Sequence, residues 1–185
     1  MCAGQQSHLR LTLAYMKIRA VYPGTFDPVT NGHLDLIQRS AALFDKVLVA
    51  VLKNTDKMPL FSTEERVEML KQVVRKHKNV SVTTFGGLLV DFAARKRASV
   101  IVRGIRAVSD YEYEVQMTLM NRRLSPGVET VFLIPAEAYS YLSSRLVKEI
   151  SQLGGSVRGL VPPMVEKRLR SCYRSFSHTQ EKEKK

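Results

Sequence analysis

Cysteine is scarce in this chain: Cys2 and Cys172 are the only two in 185 residues, and they lie near opposite ends. Neither has a second cysteine or a histidine at metal-ligand spacing, so a disulfide framework and a zinc site both fall away. No run approaches the roughly 18 consecutive apolar residues that a membrane-spanning helix needs, and no long apolar segment follows a basic start at the N-terminus. The expectation is a cytoplasmic protein with no membrane partner. Acidic residues are also few, 17 against 29 basic ones, which gives a formal charge of +12. Residues 1–15 and 175–185 each hold one net positive charge, so +10 belongs to the folded body and not to a tail. Such a balance suits nucleic acid, an anionic membrane surface or small anionic substrates. Nucleic-acid motifs are missing, and aromatic residues are not interleaved with basic ones on a strand as a stacking platform requires, so no nucleic-acid partner is expected. Catalytic Ser-His-Asp and Cys-His sets are absent as well.

What is present is one domain's worth of alternating pattern. Hydrophobic residues make up 44% of the chain, enough for a single substantial core. Residues 1–15 read as an N-terminal appendage, residues 16–174 as the domain and residues 175–185 as a solvated, charged tail. Short β-branched runs at 17–22, 46–52, 80–84, 99–102 and 130–134 predict five buried strands. Between them, Leu34, Ile37, Ala41 and Phe44 form one helical stripe, and Ser62 with Glu65 forms a capping box, Thr63 being the alternative cap. Further helices are predicted over 88–96, 110–124 and 143–153, the last stopped by Gly154 and Gly155, with Pro162 and Pro163 opening a final helix. Strands alternating with helices give an α/β fold, a doubly wound five-stranded parallel sheet of Rossmann-like type. Ligands in such sheets bind beyond the carboxyl ends of the strands.

The loop there that holds most chemistry runs from Tyr22 to His33, YPGTFDPVTNGH, and it is neither a Walker A loop nor G-x-G-x-x-G. Its physics is similar: Gly24 and Gly32 permit close approach of backbone to ligand, and the free N–H groups at a helix start attract phosphate. A lone histidine at a helix start is usually satisfied by a neighbouring carbonyl, yet His33 within Thr-x-Gly-His is placed to donate to an anion. Two arginines, Arg103 and Arg106, leave the fourth strand at its carboxyl end, where guanidinium forks suit phosphate. Ser143 and Ser144 open a helix with hydroxyls and free N–H groups, as phosphate ligands, as ordinary caps, or as both.

Thr30-Asn31-Gly32-His33 resembles the (H/T)xGH signature of the nucleotidyltransferase superfamily. The longer string YPGTFDPVTNGH, with VRGIRAVSDYEYE (102–114) and YSYLSSRLVKEI (139–150), is similar to the bacterial phosphopantetheine adenylyltransferases, over roughly residues 16–170. The resemblance implies transfer of AMP from ATP to 4'-phosphopantetheine, with pyrophosphate and dephospho-coenzyme A as products. It implies catalytic roles for Thr25, His33, Lys57 and Arg106. ATP would be held by Thr25, Phe26, His33, Gly104, Ile105, Arg106, Glu114 and the run Tyr139, Ser140, Tyr141, Leu142, Ser143, Ser144 and Arg145. The acceptor would meet Thr25, Lys57, Leu89 and Arg103. Magnesium (Mg2+) is the implied cofactor, carried mainly by substrate phosphates and water, since no carboxylate cage is visible. A homohexamer, and coenzyme A as feedback inhibitor, are implied too.

Two positions depart from the family pattern. Met58 stands where many relatives carry a second lysine, and Arg145 replaces a serine or threonine, either adding a cation beside the phosphates or pointing away. Competing readings are an adenylyl- or cytidylyltransferase with another acceptor, such as nicotinamide mononucleotide or glycerol phosphate, a basic nucleic-acid-binding domain, and a class I aminoacyl-tRNA synthetase fragment. The last lacks both the length and a KMSKS-like segment.

Overall fold

The computed structural model of the chain describes residues 17–53 and 59–182. Five strands form, β1 (Arg19–Gly24), β2 (Lys46–Leu52), β3 (Val80–Phe85), β4 (Val100–Gly104) and β5 (Glu129–Leu133). Every pair is parallel, in the order β3-β2-β1-β4-β5, as the alternating pattern predicts. The helices are α1 (Asn31–Leu43), α2 (Thr63–Val74), α3 (Leu89–Arg95), α4 (Val108–Leu124), α5 (Ser144–Gln152) and α6 (Pro163–Lys182), with a 3-10 turn at Glu137–Tyr139 before α5. Ser62 caps α2 with the reciprocal Glu65 bond, and Pro163 opens α6. The last helix runs on through Lys182, past the point where a solvated tail was expected to begin. Residues 1–15 lie outside the described part.

Side chains alternate across the sheet and sort into two layers. Tyr22, Val47, Val49 and Val51 pack with Ile37 of α1, Met69 and Leu70 of α2, Val147 of α5 and Val165 and Leu169 of α6. On the opposite face, Val21, Ala50 and Ile101 pack with Val90, Phe92 and Ala93 of α3. No described helix is long and apolar enough to cross a membrane.

The sheet's connectivity decides where a ligand goes. From β1 the chain steps outward to β2 and β3, then returns to the other side of β1 for β4 and β5. Register between β1 and β4 covers only Ala20↔Val100 and Val21↔Ile101, whereas β1 and β2 stay paired to Gly24↔Val51. Beyond Val21 the carboxyl ends of β1 and β4 are thus free to part, which opens a crevice at the topological switch point.

Candidate active site

A cavity of about 440 Å³ occupies that crevice, a size within the range of small-ligand sites. Its walls come from the β1–α1 loop, the end of β4, the start of α4 and the start of α5.

The β1–α1 loop folds tightly for local reasons. Phe26 takes a left-handed φ of 51°, and the Asp27–Pro28 peptide is cis. A Cβ on Gly24 would sit 2.9 Å from the Phe26 ring, so this glycine accommodates a protein ring as well as lining the cavity. Gly32 likewise faces Tyr139, with a built Cβ 3.4 Å away. Gly104 at the end of β4 lets α1 close in, since a Cβ there would come within 2.4 Å of Leu36 Cδ1.

His33 is the third residue of α1 and completes an unusual capping box. The Thr30 backbone N–H donates to His33 Nδ1 at 3.0 Å, and the His33 N–H donates back to Thr30 Oγ1 at 3.3 Å. A capping box normally places Glu or Gln at this position; here the imidazole does the same work. Because Nδ1 accepts, the ring proton resides on Nε2, and His33 lines the cavity with an N–H to donate. Burial, helped by the charge of Arg106, pushes the imidazole pKa down to about 4. His33 is therefore a neutral donor across the physiological range. The Phe26 ring meets it nearly edge-on, with centroids 5.0 Å apart.

Both arginines at the carboxyl end of β4, Arg103 within the strand and Arg106 just past it, are held. Arg103 is bidentate on Glu114 of α4, Nε to Oε2 at 2.7 Å and Nη2 to Oε1 at 2.5 Å, while Nη1 makes only a long 3.4 Å bond to the Pro23 carbonyl. Burial works against the Arg103 charge, but the Glu114 carboxylate outweighs it and its pKa is raised. Arg106 pairs with Asp110 at 3.1 Å and donates Nη1 to the Leu142 carbonyl at 3.1 Å, tying the end of β4 to the loop before α5. That loop is fixed from α1 as well, since Asp35 accepts the Ala136 N–H at 3.0 Å. Burial also drives the Tyr22 phenol well above its ordinary pKa, so it stays protonated in the wall of the cavity.

Ser143 is the N-cap of α5, its Oγ accepting the Leu146 N–H at 3.0 Å, and Ser144 Oγ donates to the Pro28 carbonyl at 2.7 Å. The two hydroxyls thus build the junction between α5 and the β1–α1 loop. Arg145 borders the cavity with its side chain 88% exposed, donating to Glu149 at 2.9 Å.

Of the residues singled out by sequence, Thr25, Phe26, His33, Arg103, Gly104, Arg106, Glu114, Tyr139, Leu142, Ser143, Ser144 and Arg145 line this one cavity. Ile105, Ser140 and Tyr141 flank it without lining it, Ser140 donating to the Glu137 carbonyl and Tyr141 standing exposed. Leu89 lies at the first turn of α3, partly buried against the second core layer and outside the lining. Lys57 and Met58 fall outside the described residues.

Sequence reasoning missed two groups. Asp27, 4% exposed, accepts the N–H groups of Leu60 and Phe61 at 2.9 Å each and the Lys148 ammonium at 2.7 Å. A carboxylate in a loop that gathers anions must be neutralised, and Lys148 stands one helical turn beyond Ser144, on the same face of α5. That spacing was the available signal. The charge excess itself was a poor guide, because the described lining sets Arg103, Arg106, Arg145 and Lys148 against Asp27, Asp110 and Glu114. Exposed Lys46, Arg75, Lys76, Lys78, Arg95, Lys96, Arg97, Arg122 and Arg123 lie instead at the opposite rim, where β2 to β5 begin and α2 to α4 end. Cations there complement the negative ends of the helices.

Comparison with known proteins agrees with this geometry. Residues 21–150 match the cytidylyltransferase-like family model. The phosphopantetheine adenylyltransferase of Thermodesulfovibrio yellowstonii is 56% identical over 155 residues, covering 83% of this chain and 96% of the relative. That of Moorella thermoacetica is 55% identical over 158 residues, covering 85% and 98%. In structure, a proposed nicotinate-nucleotide adenylyltransferase from Vibrio parahaemolyticus superposes with a TM-score of 0.65 at 15% identity, over 83% of this chain and 99% of the other, a likeness of fold. With the three motif segments meeting at one crevice and more than half of all residues shared with these relatives over most of its length, this chain belongs to the phosphopantetheine adenylyltransferase family.

Proposed function

We propose that this protein transfers AMP from ATP to 4'-phosphopantetheine, forming dephospho-coenzyme A and pyrophosphate in coenzyme A biosynthesis. The observation that carries the reading is the convergence of the His33 Nε2 donor, the Arg103 and Arg106 guanidiniums and the starts of α1 and α5 on one cavity at the switch point of the sheet.

The chemistry asks little of the protein beyond placement and charge. An acceptor phosphate oxygen, already anionic near neutral pH, attacks the α-phosphorus of ATP in line. The bond to the bridging oxygen breaks, and that oxygen leaves with pyrophosphate. No base is needed. His33, held by its Nδ1 bond to Thr30, donates from Nε2 to a phosphoryl oxygen as negative charge gathers there. Arg106, with Thr25, gives further donors, and Lys57 is assigned to the acceptor phosphate and the transferred group. Phe26, Gly104, Ile105, Glu114 and residues 139–145 surround ATP in this reading, while Leu89 and Arg103 meet the acceptor. Glu114 occupies two edges of the Arg103 fork, which leaves Nη1 to reach a substrate.

Magnesium fits as a substrate-borne ion. The three carboxylates that line the cavity are each paired with a cation, and no group of three or more metal-ligating side chains occurs among the described residues. Phosphate oxygens and water would hold the metal, which when bound neutralises charge on the polyphosphate.

A homohexamer is the assembly that the family resemblance implies; association as such is supported by α4, which exposes Tyr111, Tyr113, Met117, Leu119, Met120 and Leu124 by 40–62%, more apolar surface than one solvated helix usually shows. Coenzyme A would act as a feedback inhibitor by filling the pantetheine and nucleotide halves of one site. A cytoplasmic location accords with these substrates.

The decisive assay is pyrophosphate release with ATP and each of 4'-phosphopantetheine, nicotinamide mononucleotide and glycerol phosphate. Release with the first alone is expected, and a preference for either of the others overturns the acceptor assignment.

A further inference from the structure

Arg66 heads the fully buried side chains by size, and it is charged. It ends the first turn of α2 and is 1% exposed. Nη1 donates to the carbonyls of Thr25 at 2.8 Å and Leu52 at 3.2 Å, Nε to that of Ser62 at 3.3 Å, and Nη2 to Thr63 Oγ1 at 2.9 Å. All four acceptors are neutral, and none of the ion pairs among the described residues includes Arg66. A guanidinium keeps its charge in a protein, and burying one is costly unless dipoles or an anion compensate. Among the described residues, dipoles alone do so. The first turn of a helix is also the end where the macrodipole disfavours a cation.

The position explains what the charge is for. Leu52 ends β2 and Thr25 follows the last residue of β1, so the guanidinium lies across the carboxyl ends of two neighbouring strands. Thr25 is in turn part of the cavity wall, while Arg66 is not. One stretch of backbone therefore has a buried cation on one side and the phosphate-gathering space on the other.

We propose that Arg66 is a positioning residue for adenylyl transfer. Its fork locks the Thr25 carbonyl, and with it the β1–α1 loop, in phosphate-binding geometry, and its charge, matched only by dipoles among the described residues, is complemented by polyphosphate bound across Thr25. The proposal rests on the function given above.

The test uses Arg66→Met, which keeps length and removes charge and donors, and Arg66→Lys, which keeps charge and loses the fork. Thermal midpoints are measured without ligand and with inorganic pyrophosphate, then kcat and KM for both substrates. In Arg66→Met the ligand-free midpoint falls, because three carbonyls lose their donor, while the pyrophosphate-induced shift disappears and kcat per folded molecule falls by about 100-fold. Arg66→Lys regains part of the shift but stays at least about 10-fold low in kcat, since charge returns without the alignment of Thr25. A purely structural role predicts the lowered ligand-free midpoint alone, with an unchanged pyrophosphate shift and unchanged kcat per folded molecule, and that result overturns the proposal. Should Arg66→Met fail to fold, folded Arg66→Lys with the wild-type kcat and shift overturns it, and a loss of kcat with part of the shift kept supports it. A wild-type protein inactive with ATP and 4'-phosphopantetheine would defeat the functional reading, while the pyrophosphate shifts of the variants would still decide whether Arg66 acts on anion binding.

Discussion

His33 Nδ1 accepts the backbone N–H of Thr30 at 3.0 Å, so the residue that caps α1 also fixes the tautomer of the imidazole that lines the cavity. Folding lowers the His33 pKa from 6.5 to about 4. Between those values the unfolded chain binds a proton that the native protein does not. Stability from this source is fully present above pH 6.5 and is lost as pH falls toward 4, by roughly 3 kcal/mol at most. Denaturant midpoints measured from pH 4 to pH 7 should rise with pH in the wild type, and His33→Asn should flatten that rise. An equal slope in both proteins contradicts the assignment.

Asp27 joins three segments through the Leu60 and Phe61 amides and Lys148. Asp27→Ala should cost roughly 3–5 kcal/mol, because two amides and an ammonium lose their acceptor together. Lys148→Met should cost less, on the order of 1–2 kcal/mol, since the lysine side chain is 30% exposed and partly screened. Urea titrations check the ranking, and equal costs would show that the amide bonds contribute little.

Gly104 is required by packing. Gly104→Ala drives a methyl into Leu36 and should destabilise by about 1–3 kcal/mol while displacing α1 and its His33. Adding Leu36→Ala should restore part of the lost turnover, even though that change alone opens a cavity. Failure of the double variant to recover any activity would place the defect elsewhere in the β4 end.

Arg145, which sequence left open between two roles, has its guanidinium in solvent beside Glu149. Arg145→Ser should leave kcat/KM for ATP within about 3-fold of the wild type, as exposed i,i+4 pairs contribute little. A fall of 30-fold or more in steady-state kinetics would mean that Arg145 leaves Glu149 for the phosphates.

Much of this was legible in the residues. Lys46–Leu52, apolar and valine-rich after its first residue, reads as a strand buried on both faces, and the structure gives it the same bounds. Ser62 and Glu65 read directly as a capping box, but Thr30 and His33 did not, because an imidazole is not the usual partner at that position. The glycines of the first loop suggested room for ligand, and both line the cavity, but that Gly24 also accommodates Phe26 is a close contact between residues two apart that periodicity does not reveal. Arg66 was passed over because arginines are seldom fully buried, and its burial depends on carbonyls from three separate segments. Polar residues late in α6 looked like a tail, although charged side chains are compatible with a solvated helix and the backbone remains helical to Lys182.

The central claim is that a neutral His33, anchored through Nδ1, stabilises charge in the transition state of adenylyl transfer. Single-turnover pyrophosphate release by His33→Ala, with ATP and 4'-phosphopantetheine both saturating, tests it most directly. The account predicts a rate lower by about 1,000-fold or more, with the ATP Kd changed far less and the fold intact by circular dichroism. A rate within 10-fold of the wild type would contradict it.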